Sequence, residues 1–326
     1  MNNHSTEMEK NQSSLDDFLG KSERKAADIN KLVEYGNGIM SDSRINAALG
    51  CGKFLTFLHS RDMQKSKLET GYFCKNRLCP GCAWRKSAHD AVKISCIMQA
   101  AAQQGYRLVF ATLTAENVPA DELSEAVERY DKAYTEMMRR GKFRYIVGAI
   151  RKLEITYNPT TNTDHPHIHR VWFMPRGWRK SSHPAHLTKT ELRNAWETAL
   201  GSNYAVSAAA QDIRDVKSAT RENIAEFAKY PAKSCDYLQS RETFKAFYYA
   251  LRGTRLITFM RLARKLAAAY KAGDLNCYAE TDDTEYYYRT FWRWNREESR
   301  MVLDDMEELE QPIRFNIIDT DETMEE

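Results

Sequence analysis

Three histidines occupy alternate positions in Asp164-His165-Pro166-His167-Ile168-His169-Arg170-Val171-Trp172-Phe173 and run straight into an apolar, aromatic segment. Such alternation predicts a β-strand. On a strand His165, His167 and His169 share one face at intervals of about 6.8 Å, while Ile168 points the other way into a core. Imidazoles repeated on one face can hold a divalent metal ion once a neighbouring strand adds another ligand. The alternative is an exposed polar face with no metal.

A candidate for that ligand lies just upstream. Tyr145 to Tyr157 reads as a strand, and Asn158-Pro159-Thr160-Thr161-Asn162-Thr163-Asp164 has the chemistry of a turn. Folding this hairpin about residue 161 brings Glu154 level with His167 and His169. A slip of one residue would send Glu154 to the opposite face. Its alternative role is to pair with Arg151 or Lys152.

A second metal-binding pattern comes earlier, in Phe73-Cys74-Lys75-Asn76-Arg77-Leu78-Cys79-Pro80-Gly81-Cys82-Ala83-Trp84-Arg85-Lys86. Two thiolates separated by Pro-Gly can grip one ion, Cys74 supplies a third, and Cys51 or, less favourably, His59 the fourth. The preferred reading of Cys51, Cys74, Cys79 and Cys82 is structural zinc (Zn2+); free thiols are the alternative. The mix of Arg77, Trp84, Arg85 and Lys86 suits phosphate and base contacts, although Trp84 could instead pack the small module. Cys96, Cys235 and Cys277 read as small buried hydrophobes.

The elements that must position these groups are legible by periodicity. Helices are predicted over Leu15–Tyr35, Ala88–Gln104, Asp121–Arg140 and Leu187–Ala199, and strands over Tyr106–Thr114 and Val206–Val216. His183 and His186 fall in a loop. Ser218–Leu238 reads as a helix that aligns Glu226, Lys229, Tyr230 and Lys233 on one face, a poor core stripe and therefore either wet surface or a working face. Pro231 interrupts it. Ala246–Lys271 is a basic helical run, and Tyr286–Trp294 interleaves aromatic residues with arginine, which could stack bases or pack a core.

Net charge is +3 over 326 residues, but Glu297–Glu326 holds twelve acids against Arg300 and Arg314, so the first 296 residues carry +13. A basic body with an acidic tail suits a polyanion-binding protein. The polar N-terminus does not read as a signal peptide, and no stretch has the ~18 apolar residues of a membrane span. Cysteine in such a chain argues for metal or bystander thiols, and for a cytosolic protein, over a disulfide framework.

Together these residues resemble the rolling-circle plasmid replication initiators of the HUH (His-hydrophobic-His) endonuclease superfamily, in the branch with a cysteine cluster ahead of the nuclease. The resemblance runs from Cys51 to about Asp236. It covers the Cys74–Arg85 motif, Phe110-Ala111-Thr112-Leu113-Thr114, His165-Pro166-His167-Ile168-His169, and Glu226-x-x-Lys229-Tyr230-x-x-Lys233. Pro231 in the tyrosine motif and Arg170 after the metal motif depart from it. It implies an α+β fold with a central antiparallel sheet flanked by helices: a tail and helix (1–45), a zinc module (46–100), an HUH endonuclease domain (101–245) and a helical C-terminal region with an acidic tail (246–326).

The resemblance also implies chemistry. Mg2+ or Mn2+ held by His167, His169 and Glu154, with His165 supporting or bordering the site, would serve phosphodiester transfer, and imidazole ligation favours Mn2+. Tyr230 would be the nucleophile, helped by Lys229 and Lys233, and Glu226 would activate water to end the cycle. Implied partners are plasmid origin DNA, single-stranded or hairpin at the nick, and the host helicase and polymerase, in the bacterial cytoplasm and away from membranes; self-association stays open. A relaxase or single-strand transposase of the same superfamily, and a non-catalytic zinc DNA-binding protein, are the rival readings.

Overall fold

The computed structural model describes residues 4–201, 208–213, 234–279 and 282–314, arranged as two compact units: Met1–Arg85 with Glu280–Glu326, and Lys86–Ala279. The fold is α+β, with antiparallel sheets flanked by helices, as expected. No helix among the described residues is long and apolar enough to cross a membrane.

The first unit carries helices α1 (His4–Gly36) and α2 (Asp42–Gly50) and strands β1 (Phe54–Ser60), β2 (Ser66–Gly71), β8 (Glu285–Asn295) and β9 (Arg300–Arg314). The sheet order is β2-β1-β8-β9. Leu19, Leu55, Phe57 and Met301 form its core, with Phe18, Trp292 and Trp294 packed alongside. Helix α3 (Pro80–Gln103) begins in this unit and runs on into the second. It starts earlier than the periodicity from Ala88 predicts, because Pro80 is preorganised for a first helical turn, and so the Cys79-Pro-Gly-Cys82 turn opens the helix.

The described residues of 246–326 do not form the wholly helical region expected of them. Helices α6 (Arg241–Leu251) and α7 (Leu262–Ala272) are separated by strand β7 (Ile257–Arg261), and Glu285–Arg314 supplies the β8–β9 hairpin. Gly253, at φ +70°, ends the first helix where a left-handed residue is needed. Ile257-Thr258-Phe259 and Tyr286–Trp294 are β-branched and aromatic, and packing on a sheet uses that preference. The acidic stretch is likewise part strand. Arg289 donates to Glu69 at 2.7 Å and Glu307 at 2.6 Å, Arg293 to Asp304 at 2.6 Å and Arg314 to Glu285 at 2.7 Å. Opposite charges across neighbouring strands favour this pairing.

The second unit adds β3 (Arg107–Thr114), β4 (Gly148–Asn158), β5 (Thr163–Met174) and β6 (Ala208–Ile213), in the order β6-β3-β5-β4-β7, with α4 (Leu123–Met137) and α5 (Lys189–Leu200). Asn158 closes the β4–β5 hairpin by accepting from the amides of Thr160 at 3.0 Å and Thr161 at 3.4 Å, and Asn162 takes the left-handed position at φ +52°. Thr188 and Glu191 cap α5 reciprocally, which starts it at Lys189. On one sheet face Leu108, Ile150, Val171 and Phe173 form a core with α3 and α7 residues such as Ile97 and Leu266. On the other face Arg170 and Trp172 lie with Tyr134 of α4: the Arg170 guanidinium is 4.9 Å from the Trp172 ring and 5.4 Å from Tyr134. The Arg170 position does face a core. Its side chain is fully buried, and its three guanidinium nitrogens have no hydrogen-bond partner.

Candidate metal centre

Strand register builds the first site. Glu154 of β4 stands opposite His167 and Lys152 opposite His169, while Thr112 of β3 faces His169 from the other side. These side chains share the face of Ile150 and Val171, just beyond the apolar core. Glu154 Oε2 lies 3.1 Å from His169 Nε2 and 3.7 Å from His167 Nε2. Two donors each about 2.1 Å from one ion would sit about 3–3.4 Å apart, so the spacing suits a shared cation.

The outward-facing ring nitrogens are anchored. His169 Nδ1 lies 3.1 Å from Thr112 Oγ1, and His167 Nδ1 lies 3.1 Å from the His165 carbonyl oxygen. A carbonyl only accepts, so His167 Nδ1 carries the proton, and in the neutral ring Nε2 presents its lone pair to Glu154. Two acceptors then face each other unless a proton or a metal cation lies between them, which is why this donor set fits a divalent ion. Burial works against ionisation of Glu154, but when a proton rather than a metal lies between the groups, hydrogen bonds from His167 and His169, with the charge of Lys152, hold its carboxyl well below the usual range. Burial also pushes His169 down, favouring the neutral, ligating ring.

The sequence reading undervalued two residues. Lys152 is fully buried, with Nζ 3.2 Å from Glu154 Oε2, and Thr112 orients His169. Glu154 therefore takes both roles considered for it, facing the histidines and pairing with Lys152. The signal for Lys152 was period two: it lies one step of the same face before Glu154. His165 stands outside the group formed by Glu154, His167 and His169, its ring 5.3 Å from that of His167, and burial pushes its pKa down.

In the first unit Cys51 follows α2, Cys74 follows β2, and Cys79 and Cys82 flank the start of α3. All four are buried, and their sulfurs converge. Sγ–Sγ separations are 3.4 Å for Cys51–Cys79, 3.5 Å for Cys51–Cys82 and 3.7 Å for Cys74–Cys82. A tetrahedral ion with sulfur ligands at 2.3 Å has edges of about 3.8 Å, so the cluster is the right size for zinc. Hydrogen bonds from Cys74, Cys79 and Cys82 draw the Cys51 thiol far below its ordinary value. Cys51, not His59, completes the set: His59 is tied by Nδ1 to Ser66 Oγ at 2.8 Å and by Nε2 to Thr290 Oγ1 at 2.6 Å.

The residues read as DNA contacts around the cysteines have structural engagements. The Trp84 ring lies 4.9 Å from Phe18 of α1, and the Arg85 guanidinium lies 3.6 Å from the Phe73 ring. Lys86 pairs with Asp90 one turn along α3, and Arg77 is half-buried. Glu226, Lys229, Tyr230 and Lys233 lie outside the described residues.

Comparison with known proteins bears on this architecture. The Replication protein family model (Rep_1) matches residues 65–302, a span holding three of the four clustered cysteines and the whole Glu154–His167–His169 group. The chain belongs to the Replication protein family. Among relatives, this replication protein is 32% identical to the protein rep of Staphylococcus aureus over 61% of this chain and 86% of that one. It is 31% identical to the protein rep of Streptococcus pneumoniae over 64% of each chain, and 30% identical to that of Lactiplantibacillus plantarum over 78% of this chain and 82% of the relative. The matched part therefore spans less than two thirds of the S. pneumoniae relative. No solved structure matches the chain.

Proposed function

We propose that this replication protein starts rolling-circle copying of a plasmid by nicking one strand of origin DNA and holding the new 5′ end covalently. The observation that carries the reading is the convergence of His167, His169 and Glu154 on one point of a sheet face, in a chain of the Replication protein family. Those three side chains would hold Mg2+ or Mn2+, which when bound polarises the scissile phosphate and neutralises its developing charge. Thr112 and the His165 carbonyl orient the rings, and Lys152 keeps the carboxylate ionised. Tyr230 is the proposed nucleophile. Its phenolic oxygen bonds to phosphorus, the 3′ oxygen leaves as a hydroxyl that a polymerase can extend, and the phosphate remains on tyrosine. A phenol titrates near 10, so Lys229 and Lys233 are assigned to favour the phenolate. Glu226, four residues before Tyr230 in the sequence, is assigned to activate water for the terminating cut.

The cysteine cluster is proposed as structural zinc, with 46–100 supporting the origin-binding part and 101–245 the nuclease. The host helicase and polymerase, and the bacterial cytoplasm, complete the reading. The test is incubation with origin single strand and Mn2+. The parent protein should give a nick and a protein–DNA adduct, and Tyr230→Phe neither. His167→Ala with His169→Ala should abolish cleavage while leaving DNA binding. Glu226→Ala should nick yet fail to terminate. Binding by the parent protein without any nick would point to a non-catalytic DNA-binding role, and a site mapped to a transfer origin or transposon end to a relaxase or transposase.

A further inference from the structure

At the β7 edge of the second unit's sheet lies a cleft of about 980 Å³ between α4 on one face, the turn at Gly253–Arg255, β7 itself and the start of α7 on the other face. Its charged lining is lopsided. Among the described residues Glu128 and Asp131 are its only carboxylates, and both are already engaged, Glu128 with Lys132 and Asp131 with Arg151. Arg139, Arg255 and Arg264 line the same cleft, are exposed, and have no carboxylate partner among the described residues. At the wall, the Arg151 side chain is only 3% exposed; Nη1 meets Asp131, while Nε and Nη2 have no hydrogen-bond partner. A buried guanidinium with two unused donors, in a cleft with three further arginines that have no carboxylate partner among the described residues (Arg264 gives Nε to the Phe259 carbonyl), is a built receptor for anionic oxygens.

The cleft is separate from the metal centre: none of Glu154, His167 and His169 lines it, and Arg151, which alternates with Ile150 and Lys152 along β4, turns its guanidinium to the face away from Glu154. The two aromatic rings of the cleft, Tyr134 and Phe259, are packed into the flanking cores and not presented as stacking platforms, which suits phosphates rather than unstacked bases. We propose that this cleft seats the phosphodiester backbone of duplex DNA, holding the double helix at the β7 edge of the sheet while the strand to be cut reaches the metal centre. The inference rests on the reading that DNA is the substrate.

The test uses the full chain and a random-sequence 30-base-pair duplex, because phosphate contacts carry no base information. Binding is measured against salt for the parent, for the triple variant R139Q/R255Q/R264Q and for R139K/R255K/R264K, with thermal melts confirming that each is folded. Three lost phosphate contacts should lower the slope of log Kd on log salt by about 2.7 and weaken binding about a hundredfold at 0.15 M salt. The lysine variant should keep nearly all of the slope. An unchanged slope in the glutamine variant overturns the proposal, as does an equal loss in both variants, or a loss seen only with the corresponding single strand. Nicking of a short single strand with Mn2+ separates this from the reading above. A parent that fails to nick but shows the charge-dependent slope removes the nickase alone, whereas a parent that nicks with an indifferent slope removes the cleft alone.

Discussion

Glu154→Gln is the most informative single change in this protein, because it leaves shape intact and removes one charge from the point where three groups meet. Glu154 Oε2 lies 3.2 Å from Lys152 Nζ, and Lys152 is fully buried. With an effective dielectric of about 20, unit charges at that distance attract by about 5 kcal/mol. Glutamine replaces that charge with an amide dipole, and breaking a buried pair from one side costs about 3–5 kcal/mol. The variant should therefore unfold in urea, in EDTA, with a stability lower by about 3–5 kcal/mol. Metal supplies the second readout. An ion bound to the native state at a hundred times its Kd adds about 2.7 kcal/mol, so the parent should gain stability on adding Mn2+ and Glu154→Gln should gain almost none. A variant as stable as the parent in EDTA would refute the Lys152–Glu154 argument. An undiminished Mn2+ increment would refute Glu154 as a ligand.

Cys82→Ser should lose zinc and disrupt the first unit, since structural zinc supplies about 10–16 kcal/mol of apparent binding energy in small modules; zinc content and near-ultraviolet circular dichroism check it, and stoichiometric zinc in the variant would sink the assignment. Asp164 is buried and lies near Asp236, and burial pushes its carboxyl up to about 6 from 3.8. The folded state binds that proton more tightly than the unfolded chain, so the contribution is fully present below about 3.8 and is lost as pH rises through 6, at a cost of up to about 3 kcal/mol. Asp164→Asn should accordingly be more stable than the parent at pH 8 and no more stable at pH 3.5 by urea titration, and equal stability at pH 8 would contradict the burial argument. Arg170 is buried with no hydrogen-bond partner and, among the described residues, is held by ring contacts to Tyr134 and Trp172, so Arg170→Met should be neutral or stabilising by up to about 2 kcal/mol. A loss above about 3 kcal/mol would mean that the guanidinium has a role in the fold that its neighbours do not reveal.

By itself the sequence determined which residues can do chemistry and on which face they fall. Period-two alternation put His165, His167 and His169 together, turn chemistry placed the hairpin near residue 161, and the spacing of Cys74, Cys79 and Cys82 announced an ion site, because each of these is a short-range consequence of backbone geometry. Long-range pairing was left to the tertiary structure. Only the β4–β5 register sets Glu154 opposite His167 rather than one residue away, only the β3–β5 pairing brings Thr112 to His169, and only the packing of Cys51 against α3 excludes His59. The aromatic run Tyr286–Trp294 and the acids after Glu297 could not be read as a hairpin from local pattern, since their strand character comes from β1 beside them and from arginine–carboxylate pairs across β8 and β9.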